Sequence, residues 1–175
     1  MRWLLSILCA VLLAVPANSA PVASREAVHN FIMVRHGKMK ADRYTRLIMR
    51  KAKKYDIPPS ILASLIHLES NFNERATSRS RPPSVGLMQI KLFPKRIREM
   101  KGRPYDPEIN VDWGCRYLKG LYYRFSRDWH RALVGYNMGP LYVVNRGYTR
   151  TRYSRIILQR AERLRSYDSA PERGR

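Results

Sequence analysis

Glu69 is the residue in this chain that is best suited to do chemistry. It comes near the end of a short apolar segment, residues 61–72, whose pattern predicts a helix with about 3.6 residues per turn. The carboxylate falls in the middle of the apolar arc, beside Leu62 and Leu65. The opposite, solvent-facing side is predicted to consist of Ser60, Ser64 and His67. The sequence therefore predicts an acid that points into the protein.

An inward carboxylate would have an unusual pKa. Loss of hydration disfavours the charged form, so the pKa of Glu69 should rise, and a carboxyl that is protonated near neutral pH can donate a proton. The alternative is that Glu69 lies at a fraying helix end and turns to solvent, with Asn71 and Asn73 in the following loop. Other acids of this region lie in a loop, among basic residues or near a helix start, and we interpret them as structural: Glu74, Glu99, Asp106, Glu108 and Asp112.

The N-terminus has the pattern of a secretory signal peptide. Residues 3–15 are apolar apart from Ser6, and small residues that follow offer cleavage sites after Ala17 or Ala20. The run is shorter than the roughly 20 apolar residues that a membrane span needs; the alternative is an uncleaved N-terminal anchor. We therefore predict a signal peptide at residues 1–20, no stable membrane span, and a periplasmic or cell-wall-associated protein.

Charge and composition limit the partners. The 175 residues suit one domain, and the formal net charge of +21, which loss of Arg2 would lower by one, requires an anionic counterpart. An exported protein meets the anionic cell wall first, and the sequence has no recognised nucleic-acid-binding motif, so nucleic acid is not expected as a partner. The histidines, His29, His36, His67 and His130, show no ligand spacing, and we predict no metal and no cofactor. Cys115 is expected to be a buried small residue.

Helical periodicity continues through the rest of the chain, and no useful strand alternation is present, so the predicted fold class is all-α. Helices are expected at residues 41–55, 110–125, 131–136 and 153–164, and Gly86 suggests a close backbone approach that presents Gln89 as a hydrogen-bonding group. Residues 21–40 are weakly periodic and are predicted to be a lead segment of low order without a site. The catalytic domain is then expected at residues 41–167, before a disordered tail at 168–175.

Five motifs occur in the order seen in soluble lytic murein transglycosylases. They are Glu69-Ser70-Asn71-Phe72, Ala76-Thr77-Ser78, Gly86-Leu87-Met88-Gln89, residues 110–114, and residues 132–140, which contain Tyr136-Asn137-Met138-Gly139-Pro140. The stretch from about residue 42 to 165 resembles the lysozyme-like catalytic domain of this family. The resemblance implies a single lysozyme-like helical domain with a substrate cleft.

The resemblance also implies an activity, namely cleavage of the β-1,4 bond between N-acetylmuramic acid and N-acetylglucosamine in peptidoglycan glycan strands, without water and with 1,6-anhydro ends. Glu69 resembles the single catalytic acid/base of the family. The residues that resemble its substrate-binding positions are Ser78, Met88, Gln89, Tyr136, Asn137 and Tyr153. A single acid is workable if the substrate's N-acetyl group stabilises the developing cation and its C6 hydroxyl attacks.

Two departures and three alternatives accompany the resemblance. Residues 79–85 form a longer loop than is usual in the family, which bears on the role of Ser78, and Met138 replaces a usual small residue. A muramidase that uses water, a noncatalytic wall-binding protein and a basic nucleic-acid binder are the alternatives. The small build also suits an enzyme that opens the wall for a secretion, pilus or flagellar apparatus, which is therefore a candidate partner.

Overall fold

The computed structural model describes residues 23–147 and 149–166, so the predicted signal peptide and tail lie outside the described residues. The helices in these ranges are α1 (Arg25–His36), α2 (Lys38–Tyr55), α3 (Pro59–Ser70), α4 (Pro94–Glu99), α5 (Pro107–Arg124), α6 (Trp129–Met138), α7 (Pro140–Arg146) and α8 (Arg152–Ser166). Two short strands, β1 (Ser84–Val85) and β2 (Ile90–Lys91), pair antiparallel, with Ser84 opposite Lys91. The predicted all-α fold class is confirmed, with this hairpin as its small sheet.

The helix that carries Glu69, α3, is enclosed by the rest of the fold. Every residue from Pro59 to Ile66 is buried, because α1, α2 and α8 all pack against this helix. The prediction of a solvent face at Ser60 and Ser64 is therefore wrong, since both serines are fully buried. His67 is only partly buried, and its Nδ1 accepts a hydrogen bond from Arg160 of α8. A helix surrounded by other helices has no polar side, and small serines allow its neighbours to approach closely.

The predicted lead segment is wrong, because it contains α1 and the beginning of α2. The side chain of Ser24 caps α1 by accepting a hydrogen bond from the backbone N–H of Ala27 at 3.0 Å. Val28, Phe31 and Ile32 then follow at helical spacing and are buried against the core. α1 packs mainly on α2, so residues 25–36 belong to the same helical body as the rest of the chain.

The other long helices lie close to their predicted positions. Asp106 caps α5 by accepting hydrogen bonds from the backbone N–H groups of Glu108 and Ile109, at 2.9 and 3.2 Å. α5 packs against α2 and α6, and Cys115 within it is buried as predicted. The short helices α4 and α7, each of which begins at a proline, were not predicted. None of the helices in the described ranges combines the length and apolarity needed to cross a membrane.

Candidate active site

A cleft with a volume of about 510 Å³ lies beside the C-terminal end of α3. Residues from α3, the hairpin region, α4, α5 and α6 line it: Glu69, Ser78, Ser80, Ser84, Gln89, Ile90, Lys91, Phe93, Arg96, Trp113, Tyr117, Tyr136, Asn137, Met138 and Gly139. Among these described residues, Glu69 is the one carboxylate. The cleft thus brings together one acid, several small polar groups and a set of aromatic and basic side chains.

Glu69 occupies the last turn of α3, which ends where Asn71 adopts the left-handed conformation at φ 50° and ψ 43°. Its Oε1 accepts a hydrogen bond from the hydroxyl of Tyr153 at the start of α8. Burial raises the pKa of Glu69 to about 7, although the Tyr153 hydrogen bond acts in the opposite direction. Glu69 therefore points inward, as predicted, and its raised pKa favours the protonated form relative to an ordinary carboxyl group.

Tyr136 and Asn137 lie in the last turn of α6, which extends two residues beyond the helix predicted at residues 131–136. The Tyr136 hydroxyl donates a hydrogen bond to the backbone carbonyl of Met88 at 2.8 Å, and burial raises the pKa of this phenol well above its ordinary value. Tyr136 is therefore a neutral hydrogen-bond donor that connects α6 to the segment before β2. Asn137 is exposed, and its side chain is available to a ligand in the cleft.

The segment between β1 and β2 is held by the buried side chain of Asn110. Its Oδ1 accepts a hydrogen bond from the Met88 backbone N–H at 2.9 Å, and its Nδ2 donates to the Val85 carbonyl at 3.0 Å. Gly86 has φ 78°, and a Cβ added there would overlap the Asn110 side chain, so the predicted close backbone approach is present. This packing explains why a glycine stands directly before Leu87.

Met88 and Gln89 have different environments. The prediction that Met88 lines the cleft is wrong, because its side chain is fully buried and packs against Gly114 of α5. Its backbone carbonyl accepts the Tyr136 hydrogen bond. Gln89 does line the cleft, and its Nε2 donates to the carbonyls of Ala76 and Gly86 at 3.1 and 3.0 Å. The alternation of side chains around this tight turn, where Gln89 has φ 48°, sends one residue into the core and the next towards the cleft.

Ser78 lies at the neck of the long loop of residues 79–85. Its hydroxyl accepts a hydrogen bond from the Ser84 backbone N–H at 2.8 Å and lies 2.8 Å from the Ser80 hydroxyl. Its own backbone N–H donates to the Ser84 carbonyl at 2.8 Å. These hydrogen bonds connect the two ends of the loop, and Ser78 still borders the cleft.

Sequence reasoning missed one wall of the cleft. The Trp113 and Tyr117 rings, which were not among the predicted site residues, both line the cleft and stack with centroids 5.3 Å apart. Arg96 and Phe93, which no sequence motif indicated, lie beside them. The four-residue spacing of Trp113 and Tyr117 places both rings on one face of α5. The neighbouring sequence does not show that α4 leaves this face exposed to the cleft.

Comparison with known proteins identifies the family. A model of the Transglycosylase SLT domain matches residues 46–157. The chain belongs to this family. The resemblance that the five motifs indicated is therefore confirmed, and the match includes the candidate acid Glu69, the hairpin, α5, α6 and Tyr153.

Curated relatives are similar over part of their length. Membrane-bound lytic murein transglycosylase E of Buchnera aphidicola is 32% identical over 107 residues, which are 55% of this chain and 48% of that protein. Membrane-bound lytic murein transglycosylase C of Photorhabdus laumondii is 34% identical over 96 residues, which are 49% of this chain and 26% of that protein. The chain thus matches less than half the length of these relatives.

Solved structures share the fold. The 70 kDa soluble lytic transglycosylase of Escherichia coli superposes with a TM-score of 0.58 at 19% identity, over 83% of this chain and 30% of that chain. The same type of enzyme in complex with bulgecin A gives a TM-score of 0.55 at 19% identity, over 84% of this chain and 29% of that chain. This similarity extends over most of the chain and supports a lysozyme-like helical architecture.

Proposed function

We propose that this chain is a peptidoglycan lytic transglycosylase that uses Glu69 as its single acid/base and leaves 1,6-anhydro-N-acetylmuramic acid ends. One observation carries the proposal. Among the described residues that line the cleft, Glu69 is the one carboxylate, and burial raises its pKa to about 7. Membership of the Transglycosylase SLT domain family and relatives named as lytic murein transglycosylases support peptidoglycan glycan strands as the substrate.

The first half of the reaction requires a proton donor. Protonated Glu69 gives its proton to the glycosidic oxygen while the bond from this oxygen to C1 of the muramic acid breaks. The carbonyl oxygen of the substrate's own N-acetyl group stabilises the positive charge that develops at C1, as in substrate-assisted glycosidases. The Tyr153 hydroxyl, which donates to Glu69 Oε1, fixes the carboxyl and stabilises the carboxylate that this step leaves.

The second half requires a base. The C6 hydroxyl of the same sugar attacks C1, and the Glu69 carboxylate takes the proton that this hydroxyl loses. A new bond from O6 to C1 replaces the bond that broke, no water is consumed, and Glu69 regains the proton with which it began. A pKa of about 7 suits both steps, because near neutral pH the group gives and accepts a proton at comparable cost.

Other residues would bind the strand. Ser78, Gln89 and Asn137 offer polar groups at the edges of the cleft, whereas the Tyr136 hydroxyl is held by the Met88 carbonyl and supports the wall near Glu69. We propose an exported enzyme that works in the periplasm or at the cell wall, with a catalytic domain that includes α1 in addition to the predicted residues 41–167. A secretion, pilus or flagellar partner stays a prediction.

Mass analysis of the products tests the proposal. Purified protein incubated with sacculi should release muropeptides that carry 1,6-anhydro ends, and the Glu69→Gln variant should release none above background. Products heavier by one water, with reducing ends, would show a muramidase instead. If the protein bound sacculi but released no product, the noncatalytic wall-binding alternative would replace the proposal.

A further inference from the structure

The cleft wall formed by α4 and α5 carries a guanidinium group held against aromatic rings. The Arg96 Cζ atom lies 5.0 Å from the ring centroid of Phe93, 5.0 Å from that of Trp113 and 5.5 Å from that of Tyr117. We refer to Phe93, Arg96, Trp113 and Tyr117 as the arginine wall. Cation–π contacts of this kind restrict the guanidinium to a narrow range of positions.

The arginine wall is continuous with the region around Glu69. The Tyr117 ring is 5.6 Å from the ring of Tyr136, and the charges of both Glu69 and Arg96 act on the Tyr136 hydroxyl. All of these residues line the same cleft. A glycan strand bound at Glu69 would therefore extend along the arginine wall.

Within residues 23–147 and 149–166 Arg96 forms no ion pair with a carboxylate, although its charge helps to lower the pKa of Glu99. The nearby acid Glu99 accepts a hydrogen bond from Trp113 Nε1 at 2.7 Å and forms its ion pair with Arg116, at 3.5 Å. The contact from Arg96 to a backbone carbonyl, that of Lys91, is long at 3.5 Å. Because the faces of the guanidinium rest on aromatic rings, its N–H groups other than the one directed at the Lys91 carbonyl can bind a planar anion.

The ligand chemistry follows from the substrate. In an intact glycan strand the lactyl group of the muramic acid is joined to the stem peptide by an amide, so the sugar backbone is uncharged and the carboxylates belong to the stem peptides. We propose that Arg96 binds a stem-peptide carboxylate and makes the enzyme select peptide-bearing strands. This inference depends on the proposed transglycosylase activity and adds a specificity site to it.

The test compares two substrates and three variants. Soluble peptide-bearing glycan strands would be assayed beside the same strands with their carboxylates blocked as methyl esters. Wild-type protein would be compared with Arg96→Gln, with Arg96→Lys, and with Arg98→Gln as the matched control, since Arg98 is exposed on the same helix and does not line the cleft. The readout is kcat and KM for release of anhydro ends.

We expect esterification to lower kcat/KM of the wild type about tenfold, mainly through KM, which is the scale of a lost charge-assisted contact. The same esterification should change Arg96→Gln by less than about twofold, because the interaction is already absent. Arg96→Lys should be intermediate, and Arg98→Gln should respond as the wild type does.

Two results would overturn the inference. The first is that esterification lowers kcat/KM equally for the wild type and for Arg96→Gln. The second is that esterification leaves kcat/KM of the wild type unchanged, a result that can be interpreted without any variant. Absence of anhydro ends from every strand with the wild type would instead refute the proposed function, so the two failures are distinguishable.

Discussion

Glu69 and Asp112 are both carboxylates between packed helices, yet their surroundings give them opposite properties. Asp112 lies between α5 and α2, where the Nζ atoms of Lys51 and Lys54 are each 2.7 Å from Oδ1 and the Tyr55 hydroxyl is 2.6 Å from Oδ2. These partners outweigh burial and hold the pKa of Asp112 well below its ordinary value. Glu69 has the Tyr153 hydroxyl as its recorded hydrogen-bond partner, and burial raises its pKa to about 7.

The difference is informative because this chain is so basic. With 34 Lys and Arg against 13 Asp and Glu, a carboxylate finds a cation by default. In the described ranges the acids that form ion pairs are Asp42, Asp56, Glu74, Glu99, Asp106, Glu108, Asp112, Asp128 and Glu162. Glu26 is exposed in the first turn of α1. Glu69 is thus set apart by being buried without a cation, which is what a proton donor requires.

The largest expected effect is on activity. Glu69→Gln keeps the shape of the side chain and removes the proton, so release of products from peptidoglycan should fall by at least about 100-fold. Asp112→Asn removes the carboxylate with which Glu69 is compared. This variant should keep activity within about threefold, because Asp112 does not line the cleft. The measurement is the initial rate of muropeptide release for both variants at matched concentration. Comparable losses in the two variants would show that the contrast between these acids is not a catalytic one.

Glu69→Gln should stabilise the folded protein although it removes activity. The pKa of Glu69 is about 7 in the folded protein against an ordinary value of 4.5, so ionisation penalises the folded state progressively as the pH rises from 4.5 to 7. Gln cannot ionise and can still accept the Tyr153 hydrogen bond. Glu69→Gln should therefore match the wild type near pH 4.5 and exceed it by up to about 3 kcal/mol at pH 8. Urea unfolding at both pH values measures this, and a variant less stable at pH 8 would contradict the buried, unpaired carboxylate.

Asp112→Asn should lower the free energy of unfolding, by less than Glu69→Gln raises it. The folded-state pKa of Asp112 is lowered, so its contribution to stability is complete above the ordinary value of 3.8 and is lost as the pH falls towards the folded-state value. Because the group is partly exposed, we expect the variant to lose about 1 kcal/mol at pH 7. The gap between wild type and variant should narrow at pH 3, as followed by urea unfolding. A gap that does not change with pH would assign the effect to packing.

The sequence predicted the inward carboxylate because Glu69 lies in a strong local apolar pattern. The start of α5 after the N-cap Asp106 and the end of α6 before Gly139 likewise follow from local capping and terminating residues. Predictions from the sequence were wrong where several elements pack together. Ser60 and Ser64 were assigned to solvent because the pattern of a single helix does not reveal that other helices enclose it. The helical spacing of Val28, Phe31 and Ile32 was present in the sequence, and α1 could have been predicted from it.

The cleft itself was less predictable than the acid. Met88 and Gln89 are adjacent, and which of them faces the core depends on a turn held by Asn110, a residue far along the chain. The arginine wall joins α4 to α5 through ring contacts that have no local sequence pattern. Properties that depend on one helix were thus accessible from the sequence, and properties that depend on the meeting of several elements were not.

The most direct test of the central claim is the pKa of Glu69 itself. In protein labelled with 13C at the glutamate side-chain carboxyl, comparison of wild type with Glu69→Gln assigns the Glu69 signal, which is then followed from pH 3 to pH 9. We predict a midpoint near 7, because burial without a cation opposes ionisation, and a still higher midpoint in Tyr153→Phe, where the stabilising hydrogen bond is lost. A midpoint at or below 4.5 would contradict the account, since Glu69 would then be an ordinary carboxylate without a proton to donate at neutral pH.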